Sequence, residues 1–345
     1  MSTDAGTDGS DSEDPISYFL QEMTFHGRTK RTRVAYERVL RSFESFLSDR
    51  ETTLENAERR ACMAWVHTLR EGHADSTVAS YAAYVHRFYK YMTQVGEFES
   101  NPMALVTEEM DESIQTDPTR REISVGEIRS FLNDVHHPLE RALIGTLLKT
   151  GLRVGECCNL DLRDVYLEDS EIRSAYPAPN RGALDGRSDS IYVPCEPARG
   201  EEYNGERRSA SNKRKRATVL PVDRELKRLL KRWLAVRPDT TSAAEPLFVS
   251  TTEWGRRVTP AMVRNVVTEN ARRRGWYKKG GSAEENVTPH YFRHFFTTHL
   301  RDRTGDRGIV KYLRGDVASD VIDTYTHNWG DRVRAVYEEN IYRLL

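Results

Sequence analysis

Thr288-Pro289-His290-Tyr291-Phe292-Arg293-His294 reads as the opening of a helix that carries cationic side chains on one face. Proline suits a first helical turn, where the amide it lacks would have no intrahelical partner. His290 and Arg293 stand three residues apart, so both leave the helix on the same side. Two more strings supply groups of the same kind. Thr150-Gly151-Leu152-Arg153-Val154-Gly155-Glu156 sets a glycine-flanked arginine at a helix start, and Leu313-Arg314-Gly315-Asp316 precedes Tyr325 within Asp323-Thr324-Tyr325-Thr326-His327. Singly, each has an ordinary explanation: Arg153 paired with Glu156 or Asp161, a histidine and arginine that share a helix face by chance, a tyrosine in a core.

The length of 345 residues predicts two domains, and 38% hydrophobic with 30% charged residues allows buried cores under a highly charged surface. The first residues, MSTDAGTDGSDSED, are acidic and polar where a signal peptide is basic and then apolar, and no run of about 18 apolar residues occurs. A cytoplasmic protein without a membrane partner is expected. Cys62, Cys157, Cys158 and Cys195 have no CxxC spacing, which argues against disulfides and a zinc site. The net charge of -1 conceals segregation, because acid crowds the N-terminal tail while base crowds Arg207–Arg216 and Arg224–Arg232.

Periodicity sets the organisation. Tyr36, Leu40, Phe43 and Leu47 share one helical face, a second stripe begins near Met63, and Val78, Tyr81, Val85, Phe88 and Met92 form a third behind capping oxygens at Asp75 and Ser76. The expected division is a disordered acidic tail over 1–14, a helical domain over 15–105, a polar linker over 106–120 and a second domain over 121–345, the last opening on a capping box at Ser124 and Glu127. Strand patterns at Val165–Leu167, Ser190–Val193 and Ala217–Val222 predict a small antiparallel sheet within a mainly helical, α+β second domain. The polar stretches 168–189 and 196–211 are longer than ordinary connections and read as functional or disordered loops. Helices are expected over Leu226–Trp233, Pro260–Arg274 and Pro289–Leu300, with a final amphipathic piece over Arg332–Leu345.

Taken jointly and in this order, the three strings resemble the tyrosine recombinases, or phage integrases, whose catalytic domain carries an arginine in a TGLRxGE box, then HxxR, then LxGH and a tyrosine. The resemblance extends upstream, where Thr32, Tyr36, Leu40, Phe43, Phe46, Leu47, Ser76, Tyr81 and Phe88 are similar to the family's SAM-like core-binding domain. It implies a site-specific recombinase that cleaves and rejoins duplex DNA through a 3′-phosphotyrosyl link, with no ATP, metal or other cofactor. It also implies a homo-tetramer at synapsis, helper DNA-bending proteins, and a C-terminal segment that docks either on a neighbouring protomer or on its own chain. Tyr325 would be the nucleophile, Arg153 and Arg293 the phosphate clamp, His290 an aid to proton movement, and Lys213 the general acid. Lys213 is reached by counting back from Pro221 along a strand similar to the family's RxVPL, and Lys215 is the alternative.

The residue types suit such chemistry. Metal-free attack on a phosphodiester needs fixed positive donors, and a planar guanidinium binds two phosphate oxygens at once. The chain departs from the family at Asp316, where an acceptor replaces the usual histidine or tryptophan. Asp316 would orient His290 or Arg293, or His327 would compensate, or the site would be weakened. The last option keeps open a DNA-binding relative that does not cleave; a type IB topoisomerase is the other alternative, against which the helical N-terminal domain argues.

Overall fold

α1 (Pro15–Phe25) and α2 (Lys30–Ser48) open the described chain of this computed structural model, which covers residues 14–114, 119–177, 181–316 and 330–345. Tyr325, His327 and Trp329, with Pro118 and the acidic tail to residue 13, lie outside the described residues. α3 (Arg59–Gly72), α4 (Asp75–Gln94) and α5 (Ala104–Glu109) complete the first unit. The stripes meet as their spacing predicts: Leu40, Phe43 and Leu47 pack fully buried with Val78, Val85 and Phe88 in one core. Two details differ from expectation. α4 starts at Asp75 behind Ala74 without a side-chain cap, and the core continues past residue 105, since Val106 on α5 is buried, Met110 packs against the same core, and Arg70 on α3 holds Glu112.

The chain divides into two compact units, residues 1–117 and 118–345. The second begins with α6 (Val125–Asn133), whose Ser124 and Glu127 form the expected capping box, followed by α7 (Pro138–Thr150) and α8 (Val154–Asn159). Nearly every side of α7 is buried, as befits a central helix. β1 (Val165–Tyr166), β2 (Ser190–Val193) and β5 (Thr218–Pro221) form an antiparallel sheet in the order β1-β2-β5, with Ile191 opposite both Val165 and Leu220. The fold is thus mainly helical with a small antiparallel sheet, as the sequence predicts.

The long connections carry structure of their own. The first contains α9 (Ser170–Ala175), and the second a hairpin of β3 (Glu202–Tyr203) and β4 (Glu206–Arg207). Fully buried Asp161 anchors the hairpin: it accepts from Arg208 at 2.8 Å and Asn204 at 2.9 Å, and from Arg257 at 2.6 Å. Charges so completely removed from water are tolerated because each finds several partners.

α10 (Arg224–Leu234), α11 (Pro260–Arg273) and α12 (Pro289–Thr304) pack on α7, and α13 (Arg307–Arg314) and α14 (Gly330–Asn340) close the unit. The terminal helix stops at Asn340, short of the expected Leu345. Tyr337, Tyr342 and Leu344 are buried in the core of their own unit, so the C-terminal segment docks on its own chain here. Lys149, inside α7, is the clasp: its Nζ meets Asp223 Oδ2 at 2.6 Å, Glu225 Oε2 at 2.7 Å and the Tyr342 carbonyl at 2.6 Å, while Glu225 also accepts the amides of Leu344 and Leu345. No helix of the described residues is long and apolar enough to cross a membrane.

Replacing Lys149 with Met leaves two carboxylates facing an apolar stem. It is expected to destabilise the second unit by about 3–5 kcal/mol in urea denaturation and to release the amides of Leu344 and Leu345 to hydrogen exchange. A loss below about 1 kcal/mol would show that the clasp contributes little.

Candidate active site

Gly151 ends α7 in the left-handed region, φ 62°, and a Cβ there would stand 2.4 Å from the Phe296 ring. Glycine alone makes this turn without strain. The turn delivers Arg153 to the start of α8, where buried Glu156 accepts from the Arg153 amide and from its Nη1, both at 2.9 Å. The ordinary pairing of Arg153 with Glu156 is therefore present, and it leaves Nη2 for other work.

Arg293, on the first turns of α12, is only 4% exposed. Its Nη1 donates to the Gly151 carbonyl at 2.7 Å, and its Nη2 to the Arg314 carbonyl at 3.1 Å and to Asp316 Oδ1 at 3.0 Å. Arg153 Nη2 reaches the same Oδ1 at 2.9 Å, and Arg314 Nε lies 2.9 Å from Oδ2. Three guanidinium groups, from the start of α8, the first turns of α12 and the end of α13, thus converge on one carboxylate. Of the neighbours that the sequence offered for Asp316 to orient, the structure pairs it with Arg293, and with Arg153 and Arg314 besides.

Burial, then the nearby charges of Arg153 and Arg314, pull Arg293 down to about 10, which leaves it charged at neutral pH. His290 edges a shallow hollow with Arg120, Thr288 and Tyr291. Partial burial, and then the surrounding guanidinium groups of Arg120, Arg293, Arg314 and Arg153, hold it below the usual histidine range, although the residue is exposed at the surface. A ring kept neutral in this way retains one donor and one acceptor nitrogen.

Lys213 and Lys215 are both exposed, on the segment that leads into β5. Between them Arg214 is buried, donating from Nη1 to the Leu313 carbonyl at 3.1 Å and standing 3.4 Å from Glu156. It braces the end of α13 against α8. Gly315, φ 66°, is required beside it, since a Cβ there would lie 2.4 Å from Arg214 Cγ. Upstream, Asn212 is tied to Asn159 at 2.9 Å and to the carbonyls of Pro194 and Glu196, fixing the backbone on which Lys213 sits. Sequence reasoning missed Arg214 and Arg314. Alternation along an extended segment, with two lysines outward, was a signal for the first.

This fold and cluster define a two-unit, mainly helical protein that gathers three arginines from its helix ends around one carboxylate, Asp316. The chain belongs to the phage integrase family, the tyrosine recombinases: residues 123–329 match that family, and residues 18–96 match its N-terminal SAM-like domain. It is accordingly an enzyme of the DNA strand-transferase class. Among similar curated proteins are the tyrosine recombinase XerD of Lacticaseibacillus casei, 23% identical over 319 residues that span 91% of this chain and 93% of the relative, and XerC of Pelobacter propionicus, 23% identical over 336 residues that span 94% and 95%. The fold is shared with the Tn1549 transposon integrase solved with circular intermediate DNA, TM-score 0.65 at 18% identity over 95% of this chain and 100% of that one. It is shared too with a lambda integrase dimer bound to a core site, TM-score 0.59 at 12% identity over 95% and 78%.

In an NMR titration His290 is expected to ionise below the ordinary value of 6.5, and the Arg153→Ala variant to move it back upward. The unfolded chain then binds the proton more readily than the folded one, so the stability linked to His290 is present above about pH 6.5 and is lost as pH falls through the folded value. A midpoint above 6.5 would contradict the cationic surroundings.

Proposed function

We propose that this protein cleaves and rejoins duplex DNA at specific sites through a transient 3′-phosphotyrosyl link on Tyr325. The observation that carries the reading is the convergence of Arg153 and Arg293 on one oxygen of Asp316, a carboxylate standing where a phosphate oxygen would be gripped. In the first step the Tyr325 oxygen attacks phosphorus, the bond to the 5′-oxygen breaks, and that oxygen takes a proton from Lys213. The phenol proton leaves through His290 or solvent. Both arginines neutralise charge on the non-bridging oxygens as phosphorus becomes five-coordinate. A 5′-hydroxyl from a second duplex then attacks the phosphotyrosine and restores a phosphodiester. One bond of similar energy replaces another, so the cycle requires no ATP, and arginines supply the charge stabilisation for which other enzymes use metal.

DNA is the proposed partner, with four copies at synapsis, both units of the chain on the duplex, and DNA-bending helpers. Lys and Arg contacts to phosphate make affinity fall steeply with salt. A second reading, a DNA-binding relative that does not cleave, is favoured by the acceptor at Asp316. Incubation with fragmented DNA from the source cell, a detergent stop and sequencing of protein-linked fragments decides between them. An adduct on the Tyr325 peptide is expected, absent in Tyr325→Phe and slowed by roughly 10²- to 10³-fold in Arg153→Ala or Arg293→Ala. Sequence-selective binding without any adduct would support the second reading.

A further inference from the structure

We propose that Arg314 is a third phosphate-gripping arginine, which supplies the donor that this chain lacks at Asp316. The assignment rests on the strand-transfer reading above. Asp316 acts as a built-in probe for an anion: a carboxylate and a phosphodiester each present two oxygens that share negative charge. Arg153 and Arg293 meet Oδ1, whereas among the described residues Arg314 is the one cation that meets Oδ2, so the three guanidinium groups cover two different oxygen positions.

The attitude of Arg314 fits this assignment. Its Nε is buried and 2.9 Å from Oδ2, yet its N–H makes no aimed hydrogen bond among the described residues. Arg153 and Arg293 each give the flat carboxylate one aimed hydrogen bond, whereas Arg314 is held beside it with Nε, among the described residues, left without one. A tetrahedral phosphate spreads its oxygens more widely than a carboxylate and can meet that donor. Nor is Arg314 a loose surface cation. Its side chain is 33% exposed, and its carbonyl accepts from Arg293 at 3.1 Å, which locks its backbone to the clamp.

The ordinary alternative is a cation at the C-terminal end of α13 that pairs with a nearby acid, a contact of small energetic weight. Substrate chemistry separates the two. Adduct formation is measured on a nicked duplex from which the cleaved strand diffuses away, carrying at the scissile position either the natural phosphodiester or a methylphosphonate, in which a neutral methyl replaces one non-bridging oxygen. On the phosphodiester, Arg314→Ala is expected to slow adduct formation by about 10²- to 10³-fold with little change in DNA affinity, and Arg314→Lys to recover part of the loss. On the methylphosphonate diastereomer that lacks the gripped oxygen, wild type and Arg314→Ala should come within about tenfold of each other.

An unchanged rate for Arg314→Ala on the phosphodiester would overturn the assignment. So would an equal loss on the phosphodiester and on both diastereomers, the mark of a merely structural role, with thermal melting checking that the variant folds. If the wild-type chain forms no adduct, the strand-transfer reading fails and this assignment with it. If it does, the variants alone decide Arg314.

Discussion

Guanidinium groups aimed at one point repel one another, by on the order of 4 kcal/mol for a pair about 4 Å apart at the effective dielectric of a protein surface. Arg153, Arg214, Arg293 and Arg314 can share a region only because Glu156 and Asp316 stand among them. Glu156, without solvent contact, lies between Arg153 and Arg214, and Asp316 binds the other side of Arg153 together with Arg293 and Arg314. With two carboxylates against four arginines, the cluster keeps a surplus of positive charge and fixed side chains. In the proposed reaction an incoming phosphate would meet donors already in place and need not order them itself, which is where enzymes gain most from electrostatics.

Three of the four arginines sit at or near helix ends, and Arg214 lies on the segment that leads into β5. Gly151 caps the end of α7, Arg153 caps the start of α8, α12 begins four residues before Arg293, and α13 ends at Arg314, so these three arginines inherit the rigidity of packed helices. Backbone carbonyls freed at those ends are used as well: Gly151, Leu313 and Arg314 each accept from an arginine of the cluster. The otherwise unpaired groups of helix termini thereby become the means of aiming side chains. Lys149, in the last turn of the central helix α7, gathers α10 and the C-terminal residues around its ammonium group.

Much of this was legible in the sequence because it is local. Stripes such as Leu40, Phe43 and Leu47, the box at Ser124 and Glu127, and the strand pattern of Ser190–Val193 each express a period or a cap that needs no distant partner. The order of the arginine box, the HxxR string and the string that leads to Tyr325 named the family. Long-range pairing left no local trace. Nothing at Asp161 announces that Arg208, 47 residues on, will bury itself against it, so a stretch rich in glycine and arginine read as a loop when it holds a hairpin. Arg314 is silent in the sequence for a related reason: Asp316 stands out there as a departure, and that its carboxylate meets the arginine beside it is decided by the fold. The extension of the first unit past residue 105 rests likewise on Val106 finding a distant core.

The anchoring of the β3–β4 hairpin bears on how this chain can be remodelled. Removing residues 196–211 to resemble a shorter relative would strip Arg208 and Asn204 from Asp161 and take Glu206 from Arg257, leaving a buried acid with a single strong partner. Asp161 and the hairpin therefore form one unit of inheritance: a viable shortening has to replace the aspartate with an apolar residue and redesign Arg257 at the same time, and a graft of the hairpin onto another backbone has to bring the aspartate with it.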